Sequence, residues 1–248
     1  QTLEYMRSFL IGKMGWSAIN AMPNVSGGYG LFNREVVMAA GGYSPDSFAE
    51  DMDMLIRMVA YCCETKRPYR VVQIPYTCCW TGGPATLKVL SRQRIRWGRG
   101  LIQTFYKHRR LIGNPRYRQL GMVTLPYLLV FELTAPLIEF LGMLTLIFLG
   151  ITGGVNWGYA LVMFLAIYTF CILLSLFLIS FDYAIGGSYK KIKSYLWIFL
   201  AALTEPFFYH PMVVFFSLRG YLNYLTGQKA VWGEMTRKGF SKKESTTK

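Results

Sequence analysis

Charge is missing from this chain where a soluble protein would need it. Of 248 residues, none from Gly121 to Tyr189 is Lys or Arg, and from Phe140 to Phe181 there is no charge of either sign. A helix needs about 20 apolar residues at about 1.5 Å each to cross a hydrocarbon core of roughly 30 Å. The stretch is therefore read as two membrane crossings, which excludes an ordinary soluble domain. Acid is scarce too, with 13 Asp and Glu against 27 Lys and Arg and a formal charge of +14. Ten of the basic residues fall between Lys88 and Arg118, with no Asp or Glu among them. They sit just before the first crossing, where cytosolic flanks are basic and anionic head groups attract cations. Membrane lipid thus accounts for the charge, and nucleic acid is not expected as a partner.

Cysteine is sparse and badly spaced for chemistry. The five occur as Cys62-Cys63, Cys78-Cys79 and a lone Cys171. Adjacent pairs fit neither the two-residue spacer of zinc sites nor a redox CxxC. Reduced packing thiols are the reading, in keeping with a cytosolic setting. An initiating Met and a signal peptide are also lacking. The chain opens at Gln1 inside a helical pattern, so it is expected to be a fragment.

What is present divides into three parts. Residues 1–115 read as mixed α/β. Helices are expected from Thr2 to Met14, with Leu3, Met6, Phe9, Leu10 and Met14 at near-helical spacing, and from Arg34 to Ala40, ended by Gly41-Gly42. Further helices are expected from Glu50 to Tyr61 and from Thr86 to about Ile112. Ser26 to Phe32 reads as a tight turn running into a short strand, and Arg70 to Tyr76 as another strand. Residues 116–222 read as interfacial and transmembrane helices, Leu120 to about Gly150 and Gly158 to Phe181. The last apolar segment, Tyr195 to about Leu218, is interrupted by Pro206 and Pro211. A third crossing would put the basic tail outside, against the positive-inside trend. A broken interfacial or re-entrant segment, or a helical hairpin, is therefore expected there. Residues 223–248 form a basic cytosolic tail.

Two constellations carry chemistry. In the run from Ser44 to Asp53 a Pro-Asp turn delivers Glu50 and Asp51 to a helix N-terminus, where the macrodipole favours negative charge. Simple capping explains these acids equally well on this stretch alone. The alternative makes Asp51, with Glu50 beside it, a general base, which contributes roughly 10²- to 10⁴-fold in rate. Asp51-Met52-Asp53 matches a metal-type D-x-D pattern only weakly, and no metal is assigned to it. In the run Gln93 to Gly100, Gln93, Arg96 and Trp97 share one helix face at i, i+3 and i+4. An indole plane there can stack under a sugar ring, while Arg94 and Arg96 present forked donors to phosphate oxygens. The bland reading is a basic juxtamembrane helix with a snorkelling Trp.

The combination SGGYGLFNRE (26–35), GGY (41–43), AEDMDM (49–54), WTGGPATL (80–87) and QRIRWGRG (93–100) resembles the second half of a membrane-integrated family 2 glycosyltransferase. That group includes cellulose, poly-N-acetylglucosamine and hyaluronan synthases. The family writes its motifs T-E-D and Q-x-x-R-W; here Ala49 replaces the Thr. The resemblance implies the C-terminal half of an α/β A-type glycosyltransferase domain followed by an all-α transmembrane region. It implies an inverting enzyme of the bacterial inner membrane, its catalytic part cytosolic, building a cell-envelope polysaccharide processively from a UDP-sugar and exporting it. Asp51 would be the base. Gln93, Arg94, Arg96 and Trp97 would line the acceptor and diphosphate site, and Ser26, Gly27, Gly28 and Tyr29 would border the acceptor. Mg²⁺ or Mn²⁺ is implied with ligands outside this chain, and an accessory export subunit is a further expected partner. Trp232 and Arg237 resemble a gating segment that closes over the nucleotide. As a fragment without the donor-binding half, the chain is expected to be inactive alone. Two alternatives stay open: a non-processive transferase acting once on a lipid-linked acceptor, and a non-catalytic membrane scaffold.

Overall fold

The computed structural model describes residues 1–74, 78–79, 81–185, 189 and 192–228. Trp80, Trp232 and Arg237, with the tail beyond residue 228, lie outside the described residues. The architecture is helical. Helix α1 spans residues 2–18, with a π turn at Arg7–Gly12 between α-helical ends. Helices α2 (Arg34–Ala39), α3 (Glu50–Glu64) and α4 (Leu87–His108) follow. Three long apolar helices close the chain: α5 (Leu120–Ile151), α6 (Trp157–Ala184) and α7 (Ile192–Leu225).

The expected α/β domain is corrected by this architecture: no strand occurs among the described residues. Of the segment read as a strand from Arg70 to Tyr76, residues 70–74 are described and form no strand, while the last two lie outside the described residues. Its backbone is instead held by the C-terminal end of α1. The Val71 amide donates to Asn20 Oδ1 (2.9 Å) and the Gln73 amide to Ser17 Oγ (3.1 Å), while Asn20 Nδ2 donates to the Tyr69 carbonyl (3.2 Å). Backbone groups must find partners somewhere, and here side chains supply them. The strand expected after Ser26 is likewise absent, and Leu31 stands exposed.

The helix boundaries follow local chemistry. Asn33 caps α2 by accepting from Val36 N–H (3.2 Å), and Gly41 and Gly42, both at positive φ, end it. Thr86 caps α4 through Val89 N–H (3.3 Å). The expected break in the last apolar segment does not occur, because Ile192–Leu225 is one helix with Pro206 and Pro211 inside it. Tyr209, between the two prolines, is gripped from outside by Arg94 and Glu4. At 34 residues the helix is long enough to cross a membrane. Helix α6 exposes Leu, Ile and Phe along its length, as suits a helix facing lipid.

Two apolar clusters organise the packing. One joins Met52, Leu55, Ile56 and Val59 of α3 to Phe105 of α4 and to Leu120, Leu125 and Leu128 at the start of α5. The other seats Leu3 and Met6 of α1 on Leu178 of α6 and on Ile198 and Ala202 of α7. Arg7 adds an ion pair to Glu205 (2.8 Å) and a hydrogen bond to Ser175 Oγ (2.8 Å). Helix α1 is thus docked on the membrane helices.

Asp53 is the polar anchor of α3. Its side chain is 1% exposed and meets Arg57 (2.9 Å), Lys107 (2.9 Å) and His108 (2.8 Å). Burial alone would push its carboxyl up. Hydrogen bonds from His108, Lys107 and Arg57, with the Arg57 charge, outweigh that and hold it well below the ordinary carboxylate range. A depressed carboxylate stabilises the fold above its unfolded value and loses that contribution as pH falls through its folded value. Asp53→Asn leaves Arg57 and Lys107 without their shared anion and His108 without its hydrogen-bond partner, and a loss of about 3 kcal/mol or more is expected from breaking a buried pair. Thermal unfolding in detergent should show this at neutral pH, with the wild type approaching the variant as pH falls well below about 4.

Candidate functional site

The site is built on α4 by two glycines. A Cβ at Gly98 would sit 2.6 Å from the Ser217 carbonyl of α7, and one at Gly220 would collide with the Ile95 carbonyl. Backbone packs on backbone where these helices cross. Two residues on, a Cβ at Gly100 would lie 2.8 Å from Ala49 Cβ and 2.9 Å from Ala49 N. The turn that leads into α3 therefore rests directly on α4. Gln103 fastens it, accepting from Phe48 N–H (3.0 Å) and donating to the Asp46 carbonyl (2.8 Å). The Arg99 guanidinium covers the Phe48 ring at 4.5 Å.

Asp51 emerges from this turn half-buried. Its Oδ1 accepts from Met52 N–H at 2.8 Å. Its Oδ2 faces Gly27, where a Cβ would stand 3.0 Å away. Among the described residues no cation lies within ion-pairing distance of Asp51, so the carboxylate is not spent in a salt link. It opens on a cleft of about 2580 Å³ that is also lined by Gln93, Arg96 and Trp97, and by Ser26 to Tyr29 and Glu50. The acidic turn, the glycine turn and the Q-x-x-R-W helix, far apart in sequence, thus share one opening. The cleft continues past Glu132 to Glu139 and His210 on α5 and α7, which pair at 2.7 Å.

Arg94 is placed differently from its neighbours. It is 4% exposed and donates two hydrogen bonds to Glu4 (2.6 and 2.5 Å) and one to the Tyr209 hydroxyl (2.7 Å). Burial opposes its charge, and Glu4 more than offsets that. Its guanidinium lies 4.4 Å from the Trp97 ring. Gln93 accepts from Gln1 (3.1 Å). Sequence reasoning missed Glu4, Tyr209, Gly98 and Gly100, and it missed Lys13, which lines the same cleft. Gly98 and Gly100 were visible as glycines inside a helical pattern, a usual mark of close packing.

The described residues do not fit a divalent ion. They contain no group of three or more His, Cys, Asp or Glu able to hold one. In the D-x-D run, Asp53 points away into its cluster of cations while Asp51 faces the cleft.

Fold and cleft together define a class: a helical membrane-type protein whose open cleft sets an unspent carboxylate against an arginine- and tryptophan-bearing helix. The chain belongs to glycosyl transferase family group 2, whose family model matches residues 4–217. It is similar to a poly-beta-1,6-N-acetyl-D-glucosamine synthase of Staphylococcus aureus (strain COL), 30% identical over 123 residues, covering 47% of this chain and 28% of that protein. A synthase of the same name from Staphylococcus epidermidis is 27% identical over 100 residues, covering 40% of this chain and 23% of that protein. The match therefore spans only about a quarter of the length of these relatives. No solved structure gives a significant match.

Replacing Gly100 by Ala tests the support of the site. The added methyl pushes the Phe48–Ala49 turn off α4 and moves Asp51. Overpacking of this kind costs about 1–3 kcal/mol, so the melting temperature in detergent should fall while the protein still inserts and melts cooperatively. Membrane fractionation alongside thermal unfolding checks both halves.

Proposed function

We propose that the complete gene product carrying this chain transfers a sugar from a UDP-sugar to the end of a growing polysaccharide, with inversion at the anomeric carbon. The names of the similar synthases point to N-acetylglucosamine as the sugar. The observation that carries the reading is the shared cleft of Asp51 and Trp97. Asp51 Oδ2 removes the proton from an acceptor hydroxyl, and that oxygen attacks the anomeric carbon. The bond from this carbon to the phosphate oxygen breaks, and UDP departs with the electron pair. One displacement needs one base and one stabilised leaving group.

Trp97 is the platform for the acceptor ring, because an indole face suits the apolar face of a sugar. Arg96, which also lines the cleft, is the residue assigned to the departing diphosphate. Arg94, already matched by Glu4, acts instead by holding the indole from behind. The continuation of the cleft between α5 and α7 supports product leaving along the membrane helices.

The test is incorporation of labelled N-acetylglucosamine into polymer by membranes containing the complete gene product. Asp51→Asn should lower transfer by about 10²-fold or more with expression and insertion unchanged. Trp97→Ala should weaken use of the saccharide acceptor more than use of the donor. Undiminished turnover in Asp51→Asn would overturn the assignment and favour a scaffold.

A further inference from the structure

Lys13 is a buried cation that the mechanism above does not use. It lies on the inward stripe of α1 with Leu3, Met6 and Ser17, and is itself only 4% exposed. An apolar residue would be the ordinary occupant of that position. The lysine follows the π turn Arg7–Gly12 directly, and such turns are frequent at functional sites. Burying an ammonium is costly unless something anionic or hydrogen-bonding is there to meet it. No carboxylate among the described residues comes within ion-pairing distance of it. The Phe9 ring, 4.0 Å from Nζ, covers one side of the ammonium.

The remaining side looks into the cleft. Lys13 lines the same space as Asp51, Gly27 and Trp97. Burial lowers its pKa to about 8, and the Asp51 charge partly restores it. No hydrogen bond or ion pair joins the two among the described residues, and both line the cleft. The gap between a fixed cation and an unspent carboxylate is polar at both ends and open to the cleft. An alcohol fits such a gap: its oxygen accepts from the ammonium, and its proton is directed to the carboxylate. A donor diphosphate fits poorly, because in a single in-line displacement the leaving group departs on the side away from the base.

We propose that Lys13 is an acceptor-binding residue whose ammonium, set opposite Asp51 across the cleft, donates a hydrogen bond to the terminal sugar of the acceptor and fixes the hydroxyl that Asp51 deprotonates. The inference rests on the glycosyl-transfer reading above. No bond to Lys13 is made or broken. The acceptor proton goes to Asp51, the new bond joins the acceptor oxygen to the anomeric carbon, and UDP leaves.

The experiment uses the complete gene product in membranes, with UDP-N-acetylglucosamine as donor and a β-1,6-linked N-acetylglucosamine oligosaccharide as acceptor. Transfer to the oligosaccharide is compared with UDP release in its absence, where water is the acceptor. Lys13→Met matches the length and suits an apolar stripe, so its melting temperature should not fall. Transfer should drop about 10-fold or more, the usual cost of losing a hydrogen bond from a charged group. The KM for the donor should stay within about twofold, because donor binding does not use that hydrogen bond, and hydrolysis should fall clearly less than transfer, because water has no sugar ring to be held in place. Lys13→Arg keeps cationic donors and should recover part of the transfer. Equal loss of both reactions, a raised donor KM, or undiminished transfer in Lys13→Met would overturn the proposal. Failure of the parent reading looks different: the unaltered protein would then carry out neither reaction.

Discussion

The backbone contact of α4 with its two neighbours is the constraint on which the rest depends. Gly98 lets α7 approach on one side, and Gly100 lets the Phe48–Ala49 turn approach on another. Glycine in a helix interior costs roughly 0.5–1 kcal/mol relative to Ala. That cost is offset only where close approach creates packing that a methyl would prevent. Here it brings a membrane helix and an acidic turn onto a single rod two residues apart. Every side chain of the cleft is positioned by that rod or by what rests on it.

Two aspartates on the first turn of α3 show how the rod sorts charge. Asp53 turns toward the C-terminal end of α4, where Lys107 and His108 wait, and disappears into the protein. Asp51, two residues earlier on the same helix, projects from a different side toward Gly27. Residues two apart on a helix do not share a face. Helical geometry alone thus makes one carboxylate structural and leaves the other open to the cleft. The same divergence argues against a common ion for the pair.

Much of this was legible in the residues. The glycine stop after α2, the uncharged helices and the acidic turn all announced themselves through local rules. The strands did not materialise, because a strand is a statement about a neighbour. Val71 and Gln73 found their hydrogen-bond partners in Ser17 and Asn20, which no alternation pattern reveals. The last helix misled for a related reason: prolines mark weak points in isolation, while contacts from α1 and α4 hold Tyr209 between them. Lys13 was readable in principle as a charge on an apolar stripe. The split between Arg94 and Arg96 was not, since it turns on Glu4, 90 residues upstream of Arg94.

That split carries a mechanical consequence. A buried ion pair adds little net stability over an apolar replacement, because desolvation consumes most of the attraction. What the Glu4–Arg94 pair does supply is registry. Glu4 belongs to α1, Arg94 to α4, and Tyr209, bonded to both, to α7. Trp97 lies against the same guanidinium. The indole that faces the cleft is therefore one contact removed from a helix long enough to cross the membrane. Any shift of α7 that carries Tyr209 with it alters the hold on Arg94, and through Arg94 the position of the ring.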